Sequence, residues 1–311
     1  MPDLRIFRPV AAIMATTYFP DTCRVGAISV EELIVRLRRS FADSYRLEAE
    51  LRGGSMSRLF RAIDLTDNRE IVIKVLPPEL TSDVMAARFR RETRVTSRLR
   101  HPNILTVLTT GVQDGLMYYV MPFISGESLR ERIAREGQLP IDDSIRILRD
   151  ISSALSYAHE EGVIHRDVKP ENILLQDGHA VHAILADFGI AAALTLPGET
   201  AHTRITRTGM TLGTVGYMAP EQSFGDAVDY RADIYALGVV GHEMLAGSPP
   251  FAGATTQAII AANLTQPPPR LEYFRGDVPP NVARAIERAL SKFPDERFQS
   301  ARLFSEACLR P

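Results

Sequence analysis

The chain has 311 residues, 45% of them apolar and 24% charged, with a formal net charge of −2. Such a length holds one large domain or two ordinary ones with an ample core, and the near-neutral balance excludes a broad field aimed at nucleic acid or an anionic membrane. The two cysteines, Cys23 and Cys308, stand far apart and in no ligand-like spacing, which excludes a disulfide framework or a zinc site and points to a reducing cytoplasm.

In chain order, residues 1–42 read as a leader. No apolar run approaches the roughly 20 residues that span a bilayer, and Val10 to Ala15 is short even for a signal-peptide core. Within the leader, Ser29 to Phe41 is expected as a short helix: Ser29 and Glu32 form a capping box, and Leu33, Ile34 and Leu37 fall on one side. From Tyr45 to Tyr119 the pattern is of short β-runs, Arg58 to Ile63, Glu70 to Leu76, Ile104 to Gly111 and Met117 to Val120. Turn-prone Asp67-Asn68 and Asp114-Gly115 separate them, which predicts a small antiparallel sheet. One helix interrupts it, with Met85, Phe89, Glu92, Thr96 and Leu99 along a single stripe. That stripe turns Glu92 to the core, where a carboxylate is costly without a cation, and Lys74 in Ile71-Val72-Ile73-Lys74 is the expected partner.

After Ser125-Gly126 the pattern becomes helical: Ile141 to Glu160, Ile234 to Leu245, Val282 to Leu290 and Ala301 to Leu309. The segment from Ile234 is apolar on most sides yet too short to cross a membrane, so it is expected at the centre of a helical lobe. Asp233 opens it, where a carboxylate suits the helix dipole.

The chemistry gathers in His165-Arg166-Asp167-Val168-Lys169-Pro170-Glu171-Asn172, followed fifteen residues beyond Asn172 by Asp187-Phe188-Gly189. Gly213-Thr214, Ala219-Pro220-Glu221, Asp233 and Arg297 then follow in order. Taken singly, each of these residues has a plain structural reading; the ordered spacing is what speaks. From Tyr45 to Leu309 the chain resembles the eukaryotic-type (Hanks-type) protein kinase family. Arg100-His101-Pro102-Asn103-Ile104 and Gly216-Tyr217-Met218-Ala219-Pro220-Glu221-Gln222 resemble its bacterial serine/threonine branch. The resemblance implies an α+β, two-lobed kinase domain over 43–309: a small antiparallel β-sheet N-lobe with one key helix (43–121), a hinge (122–125) and a larger, mainly α-helical C-lobe (126–309).

The activity implied is transfer of the ATP γ-phosphoryl group to serine or threonine hydroxyls of proteins. An ATP tail carries about four negative charges, so such a site needs a divalent metal with oxygen ligands, and a carboxylate must orient the attacking hydroxyl and take its proton. By resemblance Asn172 and Asp187 hold Mg²⁺ or Mn²⁺, Asp167 is the base, and Lys169 neutralises the migrating phosphoryl. Lys74 meets the α- and β-phosphates and is held by Glu92. Leu51, Gly53, Gly54, Leu59, Met121, Ile124 and Leu174 surround the nucleotide. Pro122 lacks an N–H, which the hinge tolerates because Ile124 supplies the amide donor to adenine.

Asp187 to Glu221 resembles an activation loop in which Arg166 pairs with a phosphate on Thr208 or Thr211, and Thr214 forms the floor for the acceptor. Asp233 braces the backbone around Arg166, and Glu221 pairs with Arg297 in a buried anchor. Protein substrates and self-association for autophosphorylation are the implied partners, without nucleic acid or a membrane segment. One departure is plain: the family's Gly-x-Gly-x-x-Gly reads Arg52-Gly53-Gly54-Ser55-Met56-Ser57, keeping only the middle glycine in register. It leaves open a second reading, a pseudokinase that binds nucleotide or scaffolds a complex.

Overall fold

The computed structural model describes residues 30–51, 57–76, 83–178, 180–188 and 215–309. Ser29 of the expected capping box, Gly53, Gly54, Thr208, Thr211 and Thr214 therefore lie outside the described residues.

A helix, α1 (Val30–Ser40), precedes five strands: β1 (Tyr45–Leu51), β2 (Arg58–Asp64), β3 (Glu70–Val75), β4 (Thr109–Gln113) and β5 (Leu116–Pro122). They form one antiparallel sheet in the order β1-β2-β3-β5-β4. Alternation along β3 divides its residues between two cores. Ile71, Ile73 and Val75 pack with Phe60, Ala62, Leu116 and Val120 against Leu33, Leu37 and Phe41 of the α1 segment. Val72 instead joins Tyr119, Met121 and Phe89, the last from helix α2 (Asp83–Thr96). The leader helix is thus a working part of the small lobe. Leu37 is 2% exposed, so Leu37→Ala should lower the unfolding free energy by about 2–5 kcal/mol, read as an earlier midpoint in urea denaturation.

Ile104 to Gly111 was expected as a strand, but the ladder begins only at Thr109. Ile104 makes an isolated parallel bridge to Leu185, and the Leu105 amide donates to the Leu185 carbonyl at 2.9 Å. Ile104, Leu105 and Val107 of this run are buried in a connector between the lobes, which periodicity does not distinguish from a strand. β1 was not anticipated: Tyr-Arg-Leu-Glu-Ala-Glu-Leu is largely exposed and charged, and its pairing with β2 decides its conformation.

The second lobe begins with β6 (Gly126–Ser128) and α3 (Leu129–Glu136), where Ser128 and Glu131 close a capping box. Then come α4 (Ile141–Glu160), β7 (Ile173–Gln176), β8 (His182–Leu185), α5 (Pro220–Phe224), α6 (Arg231–Ala246), α7 (Thr256–Thr265), α8 (Pro280–Ala289) and α9 (Ala301–Leu309). All residues of α6 beyond its first are buried, as its all-round apolarity predicts. Glycine makes that burial close: a Cβ at Gly238 would stand 2.9 Å from the Ala289 Cβ of α8, so only glycine permits this approach. Among the described residues no helix is long and apolar enough to cross a membrane.

Candidate active site

The loop between α4 and β7 carries the first group of site residues. Its shape is set by Asp233 in the first turn of α6. Asp233 Oδ2 accepts the His165 amide at 2.8 Å and Oδ1 accepts the Arg166 amide at 2.7 Å, while the His159 ring stands 2.8 Å from Oδ2. Two consecutive amides on one buried carboxylate hold Arg166 at φ +67°, a conformation non-glycine residues rarely adopt. His165 is fully buried and structural: its Nδ1 accepts the Asp167 amide at 3.2 Å, so Nε2 carries the proton and donates to the Ala186 carbonyl at 2.7 Å. The ring also meets Phe188 edge-on at 4.6 Å, so one imidazole ties this loop to the segment bearing Asp187.

Asp167 is thereby fixed with its two oxygens inequivalent. Oδ2 accepts from Lys169 Nζ at 2.8 Å and from Asn172 Nδ2 at 3.1 Å, and the Asn172 amide nitrogen also reaches the Asp167 carbonyl at 2.8 Å. Oδ1 accepts nothing among the described residues, which suits it to receive a proton. For Lys169, burial works against the charge, but Asp167 outweighs it and holds the ammonium pKa above its usual value. With its nitrogen engaged, Asn172 keeps its side-chain oxygen as the free acceptor.

Asp187 lies across from this loop at φ +66°, its carboxylate between two donors from adjacent strands. Lys74 Nζ on β3 makes an ion pair with Oδ2, and the Tyr119 hydroxyl on β5 donates to Oδ1 at 2.6 Å. Burial pushes the Asp187 pKa up, but Lys74 and the Tyr119 hydrogen bond outweigh it, so the group titrates below the ordinary carboxylate range. The stabilisation it carries is present above that range and is lost as pH falls through the lowered value.

The expected Lys74–Glu92 ion pair is not made. Glu92 sits half-buried on α2 with no ion-pair partner among the described residues, and the single lysine ammonium goes to Asp187 instead. Both carboxylates are partly exposed, and Asp187 takes the ammonium together with the Tyr119 hydroxyl.

Above this polar group, Leu51, Leu59, Val72, Met121, Ile124 and Leu174 belong to one cluster, assembled from the sheet, the connection between lobes and β7. Several are only partly buried, so they offer an apolar surface from both lobes, and the Ile124 N–H makes no hydrogen bond among the described residues. A planar, hydrogen-bonding base fits such a surface.

Behind the site, Glu221 and Arg297 form a two-pronged ion pair at 2.7 and 2.8 Å, with Arg297 fully buried. Gln222, next to Glu221, donates to the Arg166 carbonyl at 3.1 Å and couples this anchor to the loop between α4 and β7. Two features escaped the sequence reading. One is Tyr119. The other is Arg130, which reaches Glu171 at 2.9 Å and Glu243 at 2.7 Å and ties the loop between α4 and β7 to α6, while Tyr217 donates to the same Glu243.

Among the described residues no cluster of three or more His, Cys, Asp or Glu side chains could cage a metal on its own. The donor set nevertheless fits Mg²⁺, which takes one or two protein oxygens and completes its shell with phosphate and water. Asp187 and the unengaged Asn172 oxygen are such donors.

These features define a two-lobed kinase, and sequence comparison agrees: the protein kinase domain family matches residues 45–309, and the chain belongs to that family. It is 37% identical over 265 residues to serine/threonine-protein kinase PknB of Mycolicibacterium smegmatis, covering 84% of this chain and 41% of that protein. It is 40% identical over 259 residues to PknD of Mycobacterium tuberculosis, covering 83% and 38%. Against PrkC of Bacillus subtilis it is 36% identical over 264 residues, covering 85% and 40%. The chain thus spans about two fifths of the length of these curated relatives. The crystal structure of the Mycobacterium tuberculosis PknI kinase domain, a cysteine-to-alanine mutant, superposes with a TM-score of 0.68 at 31% identity, covering 86% of this chain and 94% of that one.

Proposed function

We propose that this chain is a serine/threonine protein kinase of the bacterial branch, acting in the cytoplasm on protein substrates and, by self-association, on its own activation loop. The observation that carries the reading is the Asp167 carboxylate. One of its oxygens is pinned by Lys169 and Asn172, and the other accepts no hydrogen bond among the described residues. An acceptor hydroxyl at Oδ1 is oriented for in-line attack and gives up its proton there, while Lys169 faces the charge that develops on the transferred group.

Adenine rests on the Leu51, Leu59, Met121 and Leu174 surface with the Ile124 N–H as donor, and Lys74 turns from Asp187 to the α- and β-phosphates. Asp187 and Asn172 would hold Mg²⁺, with Mn²⁺ the alternative the same oxygens accept, and the ion would neutralise charge on the β- and γ-phosphates. Gly53 and Gly54 cover the phosphates. A phosphate on Thr208 or Thr211 pairs with Arg166, Thr214 meets the acceptor, and Glu92 moves to Lys74 in the active arrangement.

The pairing of Lys74 with Asp187 rather than Glu92, together with Arg52 and Ser57 in the phosphate loop, favours a second reading, a pseudokinase that binds nucleotide with little transfer. Incubation of the purified chain with Mg²⁺ and ATP, followed by mass-spectrometric mapping, separates the two. The kinase reading expects phosphothreonine at Thr208 or Thr211 and none on tyrosine. Unmodified protein after prolonged incubation, with nucleotide bound, selects the pseudokinase.

A further inference from the structure

Tyr119 is a buried polar group that no step above uses. It stands directly opposite Lys74 in the β3–β5 register, so the phenol and the ammonium rise side by side from neighbouring strands to a single carboxylate. The two differ in freedom. Lys74 ends a flexible four-carbon stem and is the group that must leave Asp187 when phosphates arrive. The Tyr119 ring is 1% exposed, packed in the cluster with Val72, Phe89 and Met121, and its hydroxyl is 2.6 Å from Asp187 Oδ1. Its donor is neutral and cannot follow a phosphate.

Asp187 also needs such a fixture. Its backbone is in the left-handed region, and once Lys74 departs no other side chain among the described residues fixes the rotation of its carboxylate. Residues that hydrogen-bond a metal-ligating carboxylate set its orientation, and their loss weakens metal binding roughly 10- to 100-fold.

We propose that Tyr119 is a positioning residue for the metal. Its hydroxyl holds Asp187 by Oδ1, so that Oδ2 is the oxygen that exchanges the Lys74 ammonium for the divalent cation. The inference rests on the kinase reading and on the roles assigned there to Asp187 and Lys74.

The test is Mg²⁺-dependent binding of ADP to the full chain, followed by calorimetry, comparing wild type with Tyr119→Phe, which removes one oxygen and keeps the ring. The expected result is a rise of about 10- to 100-fold in the Mg²⁺ concentration needed for half-saturation. ADP affinity measured in excess EDTA should stay within about twofold, and an Asp187→Asn background should abolish the effect of Tyr119→Phe. An unchanged Mg²⁺ requirement overturns the proposal. So does a lowered one, which would make the hydroxyl a competitor of the cation, and so does equal weakening in EDTA, which would make the tyrosine mere packing. If the wild-type chain itself shows no Mg²⁺-dependent ADP binding, the kinase reading fails at its root; a normal wild-type response that Tyr119→Phe leaves intact removes only the role of Tyr119.

Discussion

Asp167→Asn is expected to lower kcat for phosphotransfer by about a thousandfold while leaving KM for ATP within a few-fold. The substitution preserves shape. An amide oxygen at the Oδ2 position still accepts from Lys169 and Asn172, so the loop keeps its geometry. What changes is the other position, where an NH₂ replaces the oxygen proposed to receive the hydroxyl proton. Nucleotide binding should be spared, because Asp167 lies outside the apolar cluster proposed to hold the base. Steady-state kinetics on a peptide acceptor check this, and a variant within tenfold of wild-type kcat would remove Asp167 from its role.

The second large effect is on stability. Glu221→Ala leaves the Arg297 guanidinium buried without its carboxylate and should cost about 3–5 kcal/mol. At roughly 2–4 °C per kcal/mol for a domain of this order of size, calorimetry should show a melting temperature lower by about 6–20 °C. Arg297→Met should be at least as harmful. It strands Glu221, unpairs the carbonyls of Ser291 and Lys292, which the guanidinium serves at 2.8 and 3.0 Å, and removes its bond to the Arg231 carbonyl at 3.1 Å. The double variant Glu221→Leu with Arg297→Met should recover only part of the loss, since the carbonyls stay unpaired. Full recovery would show that the ion pair alone carries the anchor.

The residues proposed to carry the chemistry stand out in the sequence because such chemistry dictates their types: a base, a lysine and two oxygen ligands at fixed spacing leave few other readings. Long periodic helices were legible too, as with Ile141–Glu160, where twenty residues keep one apolar stripe. Tyr119 was hidden for the opposite reason. In Met117-Tyr118-Tyr119-Val120 a tyrosine is an ordinary strand former, and its partner Asp187 lies 68 residues further along the chain. Periodicity put Glu92 on the core-facing stripe, but it is only partly buried, while Phe89, Thr93 and Thr96 are buried; nor can periodicity say how far that helix stands from β3, so the choice of Lys74 between two carboxylates is a tertiary fact. Arg130 carries no signal of its own in the sequence, and only the approach of α6 makes its network with Glu243 and Glu171 visible.

The most direct measurement is a crystal structure of the chain with Mg²⁺ and a non-hydrolysable ATP analogue. The account predicts the base against Leu51, Met121 and Leu174, the Lys74 ammonium moved from Asp187 to the α- and β-phosphates, and the ion shared by Asp187 and Asn172 with the γ-phosphate facing Asp167. Nucleotide bound elsewhere, or Lys74 still on Asp187 with the triphosphate in place, would contradict it.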